Sequence, residues 1–122
     1  MMVAYTSFEV VGIHNWKEAK GLRDYLSYPH RHKFYFEVGV KINKDHEVEF
    51  IELGERCKDF IENRSGLAPS IVNYDGETLS CEMLVESLKG YVKEMGYEVV
   101  YVKVSEDNEN GVFYVNDSQF GM

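Results

Sequence analysis

The sequence has 122 residues, of which 44% are hydrophobic and 28% are charged, a balance typical of one soluble globular domain. Its formal net charge of −8 argues against nucleic acid and anionic membrane surfaces as partners, because both are bound through clustered lysine and arginine. We expect a cytoplasmic protein with packed, reduced thiols at Cys57 and Cys81, since there is no signal-peptide pattern and two cysteines do not make a disulfide framework.

Two strands are predicted in the first third of the chain. Residues 3–13 are rich in β-branched and aromatic side chains, and residues 33–43 alternate between apolar and polar positions. The apolar positions of the second strand share one face: Phe34, Phe36, Val38, Val40 and Ile42. Residues 14–32 are polar and contain glycine and proline, so they predict a long connection. We expect the two strands to pair antiparallel.

Two helices are predicted next, separated by a loop over residues 64–79. In residues 51–63 and 81–95 the apolar side chains recur with the helical period. Ser80 is a suitable N-cap for the second helix, and Gly96 is a suitable C-terminal stop. The stripes consist of Leu53, Cys57, Phe60 and Ile61 in the first helix, and of Leu84, Leu88, Val92 and Met95 in the second.

A second strand pair is predicted at the end of the chain. Residues 97–105 and 112–116 flank a loop rich in turn-forming residues. The element order is therefore β-β-α-α-β-β, which favours the α+β class over alternating α/β folds. The simplest packing is a four-stranded antiparallel sheet with two helices on one face.

Three of the four histidines are predicted to meet. His30 and His32 lie at the start of the second strand, on one side and about 6.5–7 Å apart at Cα. His14 ends the first strand, so antiparallel pairing brings it to the same place. Three imidazoles with an open fourth position are typical of a reactive zinc site, and an all-nitrogen ligand set favours zinc. The alternative is incidental surface histidines, as we expect for His46 in a turn.

These residues resemble the metal signature of the 6-pyruvoyl- and 6-carboxy-tetrahydropterin synthases, in which one histidine ends the first strand and His-x-His opens the second. Further segments are similar to the starts of the family's two helices and to the strand that carries its pterin-anchoring glutamate: residues 48–53, 80–84 and 102–106. The resemblance implies a T-fold whose sheets join side by side into a barrel, as a homo-oligomer (trimer or hexamer) with the site between subunits. It also implies zinc on His14, His30 and His32.

The same resemblance gives Glu106 the role of ligand anchor. A pterin presents an exocyclic amine and a neighbouring ring N–H on one edge, and a carboxylate accepts both. Guanine-type bases offer the same edge, so this anchor does not separate pterins from purines. From its sequence neighbours alone, Glu106 is a solvent-facing turn residue.

The sequence departs from the family where protons are transferred. Leu26 stands where the family carries a catalytic cysteine, and the Asp-His pair expected after the first helix is absent from residues 63–67. Three interpretations follow. The chain is a divergent zinc-dependent lyase acting on a dihydroneopterin-type phosphate, a non-catalytic T-fold protein that binds a pterin-, purine- or nucleotide-like ligand, or an oligomeric domain with incidental histidines.

Overall fold

A computed structural model describes residues 1–14, 20–22, 30–64 and 80–117, with only the backbone described at residues 12–14, 30–32 and 64. The regular elements, in chain order, are β1 (Met2–His14), β2 (His30–Ile42), α1 (Phe50–Arg64), α2 (Cys81–Glu94), β3 (Val99–Glu106) and β4 (Asn110–Val115). The predicted element order and α+β class are confirmed.

The four strands form one antiparallel sheet in the order β1-β2-β3-β4. The β1–β2 ribbon is longer than the predicted strands 3–13 and 33–43, because its ladder continues through His14 and His30. Polar residues extend a ladder when their backbone groups find partners on the neighbouring strand. The rest of the predicted connection, residues 15–19 and 23–29, lies outside the described residues.

Both helices pack on one face of the sheet, as predicted. The alternating side chains Phe34, Phe36, Val38 and Val40 of β2 are fully or almost fully buried there. They meet the buried stripes of the helices, which contain Leu53, Cys57 and Ile61 in α1 and Leu84, Leu88 and Val92 in α2. Phe60 is half-buried and stacks on Tyr91, with ring centroids 4.2 Å apart. We call this side of the sheet the helix face.

The ends of α2 follow the sequence signals. The backbone N–H of Met83 donates to Ser80 Oγ at 3.1 Å, so Ser80 caps the helix as predicted. After the C-cap, Gly96 has φ +94°, a conformation that glycine adopts without strain. None of the helices in the described ranges is long and apolar enough to cross a membrane.

We call the other side of the sheet the open face. Tyr5 and Phe113 on this side have 61% and 57% of their surface exposed. Tyr101 lies over Gly39, where a Cβ atom would come within 2.2 Å of the ring. The hydroxyl of Tyr101 donates to Glu37 Oε2 at 2.6 Å. Its ring also stacks on Phe113, with centroids 5.5 Å apart. The glycine therefore makes room for an aromatic ring that orders this face.

Candidate functional site

The strand register brings the three predicted histidine positions to one end of the β1–β2 ribbon. His14 is the direct ladder partner of His30, and His32 is the partner of Gly12. Direct partners in an antiparallel ladder have Cα atoms about 4.5–5.5 Å apart, and alternate residues of one strand are about 6.5–7 Å apart. The predicted meeting of the strand ends is confirmed for the backbone.

The side chains of His14, His30 and His32 lie outside the described residues. Among the side chains that are described, no group of three or more histidine, cysteine, aspartate or glutamate residues is placed to hold a metal ion. His46, expected to be a solvated loop residue, is exposed and has φ +58° in a turn.

Glu106 ends β3 at the same end of the sheet as the histidines. Its ladder partner is Phe34, which lies two residues along β2 from His32. Because Phe34 is buried on the helix face and direct partners share a face, Glu106 belongs to the helix face as well. The residue is half-buried. The predicted anchor and the predicted metal ligands are thus neighbours in a single chain.

Cys81, the first residue of α2, contacts Glu106. Its Sγ donates to Glu106 Oε1 at 4.0 Å. Burial raises the pKa of the Cys81 thiol to about 12, and the charges of Glu106 and Glu82 act in the same direction. The thiol therefore stays protonated and keeps its donor role. A helix N-terminus also favours a nearby negative charge.

Cys57 is a packed thiol without such a role. It is completely buried in the core beneath the sheet, and neither cysteine forms a disulfide. Burial raises the pKa of Cys57 to about 12. The expectation of reduced, packed thiols is confirmed for both residues, while the contact between Cys81 and Glu106 was not predicted.

The β3–β4 turn fixes the end of β3 against β2. The backbone N–H of Asp107 donates to the carbonyl of Lys33 at 2.6 Å, and the N–H of Lys33 donates to Asp107 Oδ1 at 3.0 Å. Asp107 and Asn108 have φ +52° and +59°, values that aspartate and asparagine tolerate better than most residues. These bonds hold Glu106 at a fixed position beside the strand that carries His32.

A groove of about 410 Å³ lies on the open face at the same end of the sheet. It runs across the first three strands, and its polar lining comes from Ser7, Glu9, Tyr35, Glu37, Lys103, Ser105 and Asn108. Ser105 is only 5% exposed, and among the described residues its hydroxyl has no hydrogen-bond partner. Leaving a buried hydroxyl unsatisfied costs about 1–3 kcal/mol.

The close approach of Gly111 on β4 helps to bury Ser105 at one side of this groove. Ser105 pairs with Gly111, and a Cβ atom on Gly111 would come within 2.8 Å of the Cβ of Ser105 and closer still to the carbonyl of Val104. Sequence reasoning missed the groove, because the alternation in β3 predicts which face a residue occupies and not how closely the strands approach.

The departures from the synthase pattern are only partly described. Asn63 belongs to α1 and its side-chain amide donates to the Asp59 carbonyl at 2.9 Å, so it is engaged within the helix. Leu26 and residues 65–67 lie outside the described residues.

The chain is similar to known proteins in its fold. No protein-family model matches the sequence, and no curated protein matches it. Among solved structures, the chain is similar to the crystal structure of the uncharacterized protein WS1659 from Wolinella succinogenes, with a TM-score of 0.62 and 14% sequence identity. The match covers 94% of this chain and 98% of that chain. The α+β arrangement therefore also occurs in a protein of nearly the same extent.

Proposed function

We propose that this protein is a zinc-binding T-fold protein, similar to the tetrahydropterin synthases, that acts on a pterin or purine-type small molecule. One observation carries the proposal: the ladder pairs His14 with His30, next to His32, and places Glu106 on the adjacent strand. A metal-ligand set and a carboxylate anchor at one end of a sheet suit a ligand that has a polar heterocycle and an oxygen-bearing side chain.

The residues fit zinc by the chemistry of their donors. His14, His30 and His32 offer imidazole nitrogens, at backbone positions close enough for one ion to be shared. Zinc bound by three imidazoles is a Lewis acid that polarises oxygens of a substrate side chain. The ladder hydrogen bonds of β1 and β2 would hold the ligands in place.

Glu106 would bind the heterocycle. A carboxylate accepts two hydrogen bonds from an amine and a neighbouring ring N–H, and both are charge-assisted. The contact with Cys81 and the turn at Asp107 hold Glu106 at the end of β3. The Glu106 side chain therefore loses little conformational freedom when a ligand binds. A carboxylate held in one position favours a ligand with two N–H donors on one planar edge over any cation.

The oligomeric part of the proposal rests on the free sheet edges. In the described chain, β1 and β4 are the outer strands, and each has one side without a strand partner. Exposed strand edges are prone to pair with another chain. We propose that copies of this sheet join edge to edge into a T-fold barrel, as a trimer or hexamer with the site between subunits.

A second candidate is a non-catalytic T-fold protein that binds or sequesters a pterin-, purine- or nucleotide-like ligand. The sequence favours it at one point: Leu26 stands where the synthases carry their catalytic cysteine, and leucine cannot accept a proton. A carboxylate anchor and metal ligands are sufficient to bind such a ligand, whereas turnover also needs a group that accepts a proton.

Turnover of dihydroneopterin triphosphate separates the two candidates. The zinc-loaded protein is incubated with this compound, beside a His30→Ala variant, and the remaining substrate is measured over time. Loss that exceeds the variant's supports a lyase. Unchanged compound that stays bound, with weaker binding in Glu106→Ala, supports the binding protein. If neither dihydroneopterin triphosphate nor guanosine is bound or consumed, both candidates are wrong.

A further inference from the structure

The groove on the open face has hydrogen-bonding groups that the chain itself does not use. The Lys103 ammonium has no carboxylate within 4.0 Å in the described part of the chain, and the side-chain amide of Asn108 has no partner there either. A third group without a partner in the described residues is the buried hydroxyl of Ser105. All three groups donate hydrogen bonds, and all three lie on β3 or the turn that follows it.

The acidic residues of the groove are already engaged. Glu37 accepts the hydrogen bond from Tyr101 at 2.6 Å, and Glu9 lies 3.9 Å from Lys33. Burial raises the pKa of Tyr101, with the bond to Glu37 as a further cause, so the phenol remains a donor at physiological pH. The ammonium of the groove that has no carboxylate partner in the described residues thus lies on β3, at Lys103.

We propose that this groove binds a small molecule through an oxyanion, a carboxylate or a phosphate, which Lys103 and Asn108 hold. An oxyanion accepts several hydrogen bonds at once and is attracted by the ammonium group.

This site is separate from the one proposed above. Ser105 and Lys103 alternate with Glu106 along β3, so they belong to the open face while Glu106 belongs to the helix face. The groove's volume, about 410 Å³, is within the range of sites for small organic molecules. The inference therefore does not depend on zinc or on a pterin.

Titration of the isotope-labelled protein with inorganic phosphate and, separately, with acetate tests the site by amide chemical shifts. We expect saturable shifts centred on Lys103, Ser105 and Asn108. Affinity should fall about tenfold in Lys103→Gln, which keeps most of the side-chain stem and loses the charge. The matched control is Lys93→Gln, at an exposed lysine of α2. This variant should bind the oxyanion as tightly as the unaltered protein does.

The two probes also distinguish the source of the oxyanion. Saturation by phosphate alone identifies a phosphate ligand, and saturation by acetate alone identifies a carboxylate. If Lys103→Gln does not fold, Asn108→Ala serves in its place and should also weaken binding. Shifts that never saturate, that spread equally over the other lysines, or that persist unchanged in both variants would overturn the proposal.

Discussion

His14 and His30 are direct partners at the last position of the β1–β2 ladder, and His32 follows two residues along the same strand. We predict near-stoichiometric zinc in the purified protein and its loss in the His30→Ala/His32→Ala variant, as measured by elemental analysis. His46→Asn is the control, since His46 is exposed in a turn at φ +58° and asparagine tolerates that conformation. Zinc retained in the double variant would rule out these ligands.

The contact between Cys81 and Glu106 predicts different effects for two substitutions. Cys81→Ser keeps a donor beside the carboxylate, whereas Cys81→Ala removes it. We expect Cys81→Ala to weaken binding of a pterin or guanine nucleoside several-fold, and Cys81→Ser to retain most of it, in a calorimetric titration. Glu106→Gln should reduce binding more than either, because one N–H acceptor is replaced by a donor. Equal affinity in all three variants would show that Glu106 is not the anchor.

The buried hydroxyl of Ser105 predicts a stabilising substitution. In the absence of ligand, Ser105→Ala removes an unsatisfied polar group and should raise the free energy of unfolding by about 1 kcal/mol, measured in urea. Ser7→Ala, at an exposed position of the same groove, should change it by less than about 0.5 kcal/mol. A loss of stability in Ser105→Ala would mean that the hydroxyl has a partner.

The close approach of Tyr101 to Gly39 predicts that even a methyl group at position 39 destabilises the folded protein. In Gly39→Ala the new Cβ would lie 2.2 Å from the Tyr101 ring, which must then move away from Glu37. We expect a loss of about 1–3 kcal/mol in the free energy of unfolding. Gly90→Ala is the matched control, because nothing lies within 4 Å of its Cβ and α2 should gain up to about 1 kcal/mol. Similar effects at the two glycines would contradict the proposed packing.

The buried thiols predict a fall in stability at alkaline pH. Burial raises the pKa of Cys57 and Cys81 from 9.0 to about 12, so the native state favours the protonated thiols. Their contribution is complete below pH 9.0 and is lost as the pH rises towards about 12, because the unfolded chain releases these protons first. Urea unfolding across this range should show the decline, and it should be shallower in Cys57→Ala even though that variant is less stable.

The fold was largely predictable because its signals are local. Alternation in β2 and the helical stripes of α1 and α2 directly indicate which side chains are buried, and Ser80 and Gly96 mark the ends of α2. The bounds of β2 were less predictable, because His30 joins the ladder through a long-range partner, His14. How far a ladder continues beyond the alternating apolar residues depends on backbone pairing, which leaves no periodic signal at polar positions such as His30.

The candidate site was predictable only in part. The order of the histidines was enough to predict that His14 and His30 would meet. The contact between Cys81 and Glu106 could not be predicted. Cys81 is 25 positions away in the sequence and reaches Glu106 only once α2 packs on the sheet. The burial of Ser105 likewise depends on how closely β4 approaches β3 at Gly111, and sequence periodicity carries no such information.

The alignment of His14 with His30 is set by residues further along the ribbon. A slip of one residue between β1 and β2 would turn Phe34 and Phe36 out of the core, so their burial fixes which residue lies opposite His14. The register of the ribbon is therefore set by the core and not by the side chains at positions 14, 30 and 32. On the zinc proposal, a substitution at this end of the ribbon would remove a metal ligand and leave the packing of the core in place.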